Sequence, residues 1–513
     1  MSPISSSKQR KAGAILQYFQ MALGIIIQLV YTPIALRILG SVEYGIFNVA
    51  SSTITYLTLL SLGFGASYVR YHSIFNKNDD QDGIARMNGL YLSVFVVLGL
   101  VALAAGLFLT SNVQWFYNDT YTSSDVEIAK VLMFFLTINL AVSFPASVFV
   151  SYITSQERFV FQKIVNMGKT IIGPAANIIL LYLGYGSIGL VISTTCISLL
   201  VDAINIWFCF RKLKMRVSFK NPDFKLLKDI FVFSFFIGLN GIIDQINWQT
   251  DKIILGKMIN GTAVAIYAVG ANINTMFTQF STAISSVFAP KVNAIVSENK
   301  PDMDNQLTEL FIRVGRVQWF VMALVLSGFI FFGKFFVLKW AGEEYGNSYY
   351  IALLLMCPAL VPLIQNIGIE IQRAKNKHKF RSIVYLIMAL LNVGISIYLA
   401  YLWGEIGVAL GTTISLVVAN GFIMNVYYQK ALGINILRFW KSILSTLLGF
   451  IVPVSLGVVM MIFYSFNSLV DFVLLILGYT IIYSVSVYFL STNKEEKVLV
   501  SGFFKAVIHR KGN

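Results

Sequence analysis

Apolar runs of twenty residues or more recur from residue 13 almost to the end of the chain, separated by short polar connections. A helix crosses the hydrocarbon core of a bilayer in about 20 residues. The residues are 57% hydrophobic and 12% charged, where a soluble domain has roughly 45–50% and 25%. The expected fold class is therefore an all-α polytopic membrane protein, with no soluble domain of useful size between the spans. Fourteen transmembrane helices can be marked off, the first at 13–36 and the last at 469–490. The first run follows Lys8, Arg10 and Lys11; it is too long for a signal-peptide core and lacks a small-residue cleavage pattern, so it reads as a retained helix.

The net charge of +15 reports orientation. Alternate connections, counted with both termini, hold 32 Lys and Arg residues; the other set holds four, Arg37, Lys257, Lys334 and Lys339. This asymmetry places both termini in the cytoplasm and requires an even number of spans. No basic face carries the aromatic platform that nucleic-acid binding needs. Cys196, Cys209 and Cys357 are too few for a disulfide framework and suggest no metal site. His72, His378 and His509 fall in polar segments and read as solvated. Trp115, Phe116, Tyr117 and Tyr121 in one connection, with Trp340, Tyr345, Tyr349 and Tyr350 in another, read as interfacial anchors.

The chain also resembles itself. Ile38-Leu39-Gly40 recurs 216 residues later as Ile254-Leu255-Gly256, and the turn Gly186-Ser-Ile-Gly189 recurs 218 residues later as Gly404-Glu-Ile-Gly407. Helices 1–6 thus match helices 7–12. Six is even, so the two six-helix lobes share one orientation and are related by a pseudo-twofold axis along the membrane normal. The domain expectation is an N-lobe over 1–215, a C-lobe over 216–430, and two added helices with a basic cytoplasmic tail over 431–513.

Within this apolar frame the seventh helix is unusual. FVFSFFIGLNGIIDQINWQTDKIILG carries Asn240, Asp244, Asn247 and Asp251 at spacings that share one helical face. A carboxylate at a helix centre costs roughly 2.5–3.5 kcal/mol on insertion scales, and such groups face a bundle interior or a wet cavity. Helix 1 has a matching stripe of Gln17, Gln20, Gly24, Gln28 and Tyr31. Helix 8 adds Tyr267, Asn274, Thr278, Ser281 and Ser285, and helix 2 adds Asn48, Ser51, Ser52 and Thr55. Polar faces on equivalent helices predict a central chamber between lobes that rock in alternating access. Lys169, Asp202, Lys252 and Glu370 are further charges inside spans, and Arg37 closes helix 1. Two readings stay open for two of them: Lys252 either lines the chamber or snorkels to the interface, and Asp202 either faces the chamber or pairs with Lys169.

The segment YTPIALRILGSVEYGIFNVASS, with Arg37-Ile-Leu-Gly40 and Tyr44-Gly45-Ile-Phe47, resembles the signature region of Wzx-type polysaccharide flippases. Ala374 to Phe380, AKNKHKF, is similar to the basic loop after helix 10 in that family. The resemblance implies the superfamily of multidrug, oligosaccharidyl-lipid and polysaccharide exporters. It implies a cargo of undecaprenyl-pyrophosphate-linked oligosaccharide, moved to the outer leaflet of the bacterial inner membrane for O-antigen, capsule or exopolysaccharide synthesis. A polysaccharide polymerase and a chain-length regulator are the partners it implies, besides membrane lipid.

The expected cargo has an anionic pyrophosphate and many hydroxyls. Arg37, Lys169 or Lys252 suits the first; Gln20, Gln28, Asn240, Asn247 and Asn274 suit the second. Asp244 and Asp251 sit awkwardly beside an anion. They read either as H⁺ or Na⁺ coupling sites or as partners holding Lys252 and Lys169. The rivals are a cation-coupled multidrug exporter, a lipid II flippase, and a membrane-embedded glycosyltransferase. No phosphate-cradling glycine loop and no nucleophile with its base is visible, so the expectation is a transporter that is not an enzyme and needs no cofactor.

Overall fold

The computed structural model describes residues 6–61, 63–220, 223–464 and 468–498. Among them there is no β-strand. Ten helical stretches are long and apolar enough to cross a membrane. Two of the ten, Leu16–Lys77 and Lys379–Ala431, run through backbone breaks. Gly40 (φ 73°) interrupts α1 (Ser6–Thr55), and Trp403 with Gly404 interrupts α13 (Lys379–Leu416).

The chain divides into two compact units. The first holds residues 1–269 and 385–412: α1, α2 (Phe64–Lys77), α3 (Gln81–Ser111), α4 (Ser123–Ser155), α5 (Phe159–Tyr182), α6 (Gly186–Arg211), α7 (Phe224–Met258), the start of α8 (Gly261–Ser286) and the middle of α13. Local chemistry sets the helix starts. Asp80 accepts from the Gly83 N–H, Thr122 and Asp125 form a capping box, and Asp223 accepts from the N–H groups of Lys225 and Leu226. An aromatic core of Phe64, Tyr68, Tyr91, Phe95, Phe144 and Phe149 joins α2, α3 and α4. His72 belongs beside it, correcting the solvated reading. It is buried, stacked on Tyr68, set edge-on to Tyr152 and 3.3 Å from the Gln156 amide nitrogen. His378 is exposed as expected, and His509 lies outside the described residues.

The second unit holds 270–384 and 413–513, with the rest of α8, α9 (Ala289–Glu298), α10 (Met303–Trp340), α11 (Asn347–Ile364), α12 (Ile367–Ala374), the ends of α13, α14 (Met424–Ala431), α15 (Ile436–Leu444), α16 (Ile451–Phe463) and α17 (Leu469–Leu490). Here α10 is the spine. Tyr479 and Tyr483 of α17 donate to Ser327 and to the Phe320 carbonyl, each at 2.8 Å. A buried guanidinium ties the far end together: Arg316 donates to both oxygens of Glu496 (2.6 and 2.9 Å) and to the carbonyls of Ser442 and Ser491 (2.8 Å each). Glu496 also closes a capping box with Asn493.

The interfacial-anchor reading of the aromatic connections holds only in part. Trp115 and Tyr350 are exposed, but Tyr117, Tyr121, Tyr345 and Tyr349 are buried. Tyr117 packs edge-on to Tyr121 and donates to the Ile46 carbonyl (3.2 Å), and Tyr349 donates to the Ile330 carbonyl (2.7 Å). A ring whose hydroxyl finds a backbone partner belongs inside rather than at the headgroups.

Glycines set the closest approaches. Gly45 and Gly261 are 216 residues apart, the repeat interval, and they touch: a methyl on Gly45 would lie 2.0 Å from the Gly261 carbonyl oxygen. The repeated turn glycines Gly186 and Gly404 both take positive φ, 54° and 58°. Gly45→Val forces α8 away from α1, whereas nothing lies within 4 Å of the equivalent point on Gly24. Gly45→Val should sharply lower the melting temperature in detergent, and Gly24→Ala should leave it unchanged. Glu496→Leu strands the Arg316 charge and should cost about 3–5 kcal/mol, most of it recovered in the double variant Arg316→Met/Glu496→Leu.

Candidate functional site

The flippase-like signature turns out to be a joint. Beyond the Gly40 break, Glu43 reaches the start of α6 and accepts from the Ser187 N–H (2.6 Å), occupying an otherwise unpaired donor at that helix terminus. Ser41 bonds Thr262 (3.1 Å) beside the Gly45–Gly261 contact. Lys257 donates to the carbonyls of Gln114 and Tyr117 (3.1 and 3.0 Å), and Asn118 donates to the Ile259 carbonyl (2.9 Å). Deeper along the same helices Ser52 donates to Gln249 (2.8 Å) and Tyr56 bonds Thr250. The motif residues therefore hold the α7–α8 turn and α6 against α1. Arg37, just before the break, is exposed.

One turn below that joint lies Asp251, 1% exposed. One carboxylate oxygen accepts from the Tyr267 hydroxyl of α8 and from Thr412 Oγ1 of α13 (2.9 Å). Asn392 Nδ2 donates to Thr412 (3.2 Å), and Ser396 donates to Asn392 Oδ1 (3.1 Å). All five side chains are buried and belong to the first unit. Asp251 makes no ion pair among the described residues. Its neighbour Lys252 is half-buried and forms no salt bridge among the described residues, although its charge acts on Asp251; the contacts that hold the carboxylate are hydroxyls. Two hydroxyls on one buried acid, backed by Asn392 and Ser396, suit a proton or a hard cation. Among the described residues no three His, Cys, Asp or Glu come together as a metal cluster.

Lys169 of α5 and Asp202 of α6 face one cavity of about 270 Å³, which Ser51, Thr55, Asn139 and Ser198 also line. The cavity places a cation and an acid among hydroxyls and an amide, within the first unit.

The amide candidates divide. Gln20, Gln28 and Asn247 are half-buried and have no hydrogen-bond partner among the described residues, so their amides are available. Asn240 stands on α7, but its side chain lies outside the described ones. Asp244 is exposed. The Asn274 amide has no hydrogen-bond partner among the described residues, and the residue is fully buried. Its helical neighbours explain why. Ser281 donates to the Leu363 carbonyl (2.7 Å) and accepts from Gln318 (2.9 Å), while Asn366 donates to Ser285 (3.0 Å). The polar stripe of α8 packs against α10, α11 and the segment leading into α12, so in this structure Asn274 is sealed from cargo.

Sequence reasoning passed over Asn392 and Ser396 as site residues, and used Thr412 only as part of the repeat. A signal existed: Asn392 and Ser396 stand one turn apart in an otherwise apolar helix. What no spacing could give was that this face meets Asp251.

The family model described as "Polysaccharide biosynthesis protein" matches residues 13–296. The capsular polysaccharide biosynthesis protein CapF of Staphylococcus aureus is 23% identical over 152 residues, 30% of this chain and 37% of that protein's length. The fold is similar to that of the lipid II flippase MurJ in an inward closed conformation, with a TM-score of 0.70 at 16% identity over 97% of this chain and 99% of that one. An inward-facing multidrug resistance MATE transporter of the MOP superfamily gives a TM-score of 0.64 at 15% identity, over 82% and 99%. With a family match over more than half of its length, this chain belongs to the polysaccharide biosynthesis protein family.

Proposed function

We propose that this protein is a flippase that carries undecaprenyl-pyrophosphate-linked oligosaccharide repeat units from the cytoplasmic to the outer leaflet of a bacterial plasma membrane, by alternating access and without catalysis. The reading includes the 14-helix arrangement in two six-helix lobes with both termini in the cytoplasm, and service to a surface polysaccharide pathway (O-antigen, capsule or exopolysaccharide). A polymerase and a chain-length regulator are its expected neighbours there. The family supports a polysaccharide cargo. The observation that carries the transport mechanism is Asp251: a buried carboxylate held by Tyr267 and Thr412 on helices long enough to span a bilayer. A charge there is expensive unless the cycle uses it, and we assign it the coupling H⁺ or Na⁺. Asp244, exposed on the same helix, is the second coupling candidate.

Lys169, in its hydroxyl-lined cavity, with Arg37 and Lys252, is assigned to the pyrophosphate. Gln20, Gln28, Asn240 and Asn247 are assigned to sugar hydroxyls. Asn274 can join them only in a state that parts α8 from α10. A second reading, a cation-coupled drug exporter or a lipid II flippase, draws on the likeness of fold. The Lys169–Asp202 cavity favours an anionic cargo over a cationic one, because Lys169 would repel a cation at its mouth.

In proteoliposomes loaded with a labelled prenyl-pyrophosphate oligosaccharide, Asp251→Asn should abolish the dependence of flipping on an ion gradient. Thr412→Val removes a donor to the Asp251 carboxylate and an oxygen ligand for a cation, so it should lower the half-saturating concentration about tenfold if the ion is H⁺ and raise it about tenfold if the ion is Na⁺, the effect of roughly one hydrogen bond to a charged group. Unchanged rate and ion dependence in Asp251→Asn would remove that residue from coupling. Lys169→Gln should weaken retention of the pyrophosphate-linked cargo more than that of the corresponding neutral oligosaccharide; equal weakening would count against contact with phosphate.

A further inference from the structure

The first unit carries a groove on the outside of α3 that the transport reading does not use. Its volume is about 450 Å³, and its walls are Ser93 and Val97 of α3, Phe219 of the connection before α7, and Leu227 and Phe231 of α7, with Arg86 at one end. Val97, Phe219 and Phe231 are 58%, 65% and 42% exposed, so the groove opens to the surroundings. From Arg86 to Leu98 the groove follows α3 for about 18 Å at 1.5 Å per residue. That is about one leaflet of a hydrocarbon core some 30 Å thick.

The groove is built rather than incidental. Residues 216–219 lie extended across α3, pinned where the Ser218 N–H donates to the Ala85 carbonyl (2.9 Å) and Asn88 Nδ2 donates to the Arg216 carbonyl (2.8 Å). Asn88 is fully buried, and its own oxygen accepts from Tyr68 (2.5 Å). Gly89 permits the crossing: a methyl there would lie 2.1 Å from the Ser218 carbonyl oxygen.

Charge gives the groove a polarity. Arg86 is exposed and has no ion-pair or hydrogen-bond partner among the described residues. Residues 211–228 add seven Lys and Arg with a single acid, Asp223, which is engaged in capping α7. Of the seven, Arg216 is paired with Asp82 at 3.3 Å. An apolar channel one leaflet deep, headed by an unpaired guanidinium in a basic segment, complements one kind of molecule in a membrane. Basic pockets at helix ends on the cytoplasmic side recognise anionic headgroups. We infer that this groove binds an anionic glycerophospholipid of the cytoplasmic leaflet, its phosphate at Arg86 and an acyl chain between α3, Phe219 and α7.

Native mass spectrometry of the full chain, released from bilayers of equimolar phosphatidylglycerol and phosphatidylcholine, reads this directly. The intact protein should retain phosphatidylglycerol preferentially. Arg86→Gln should cut that preference about fivefold, the contribution of one Lys or Arg near an anionic surface. Gly89→Val, which displaces the Ser218–Phe219 wall, should lower retention of both lipids. Val97→Trp fills the channel without touching that wall and should do the same even where Gly89→Val fails to fold. Unchanged preference in Arg86→Gln together with unchanged retention in Val97→Trp would overturn the site. So would displacement of phosphatidylglycerol by a prenyl phosphate, which would make the groove a cargo path. Lipid retention is scored without transport, so failure here leaves the flippase assignment standing, and failure of flipping leaves the lipid site standing.

Discussion

Hydrocarbon offers a polar group no alternative partner, and that constraint orders everything else in this chain. It forces the backbone into helices. It also bears on the charged side chains inside them, which need a partner from another helix or an opening. Asp251 shows the first outcome and Lys169 the second. The carboxylate lies at the end of a chain of donors, Ser396 to Asn392 to Thr412 to Asp251, with Tyr267 closing from the other side. Lys169 instead opens on a cavity it shares with Asp202. Both lie in the first unit, and both depend on helices far apart in sequence.

Helices can only make such meetings if their backbones come close, and glycine is what allows it. The signature around Arg37–Phe47 supplies a left-handed break at Gly40, a carboxylate at Glu43 for the α6 terminus, and at Gly45 a surface flat enough to meet Gly261. That contact joins residues one repeat interval apart. The turn glycines Gly186 and Gly404, also one repeat apart, share the same sign of φ. These are points where a side chain would be excluded by space or by strain.

Much of this was legible beforehand. That the chain is built of apolar helices follows from hydropathy alone, because it is a property of each segment by itself. The rest was not, for a consistent reason: it concerns what a face meets. Helix 8 shows a stripe as clean as that of helix 7, yet Ser281 and Ser285 are consumed by Gln318, the Leu363 carbonyl and Asn366, and Asn274 is sealed with them. His72 looked solvated because its neighbours in sequence are polar; its neighbours in space are Tyr68 and Tyr152. Tyr117 and Tyr349 had the composition of an interfacial belt and instead spend their hydroxyls on carbonyls.

The two charged places of the first unit differ in what they can hold, and the difference bears on mechanism. Around Asp251 the carboxylate is held by two hydroxyls, with Lys252 beside it in the chain. The carboxylate itself gains by taking up a proton or a small cation. Around Lys169 a fixed ammonium faces an acid across a space large enough for several waters. An arriving phosphate could replace Asp202 as the partner of Lys169, whereas at Lys252 it would meet the Asp251 charge as well. Coupling ion and anionic cargo would therefore occupy separate sites on the same helical framework. Communication between them would run through α1, which packs against α5 and α7 and contributes Ser51 and Thr55 to the cavity and Ser52 to Gln249. A single helix that borders both places is the simplest element through which filling one could alter the other.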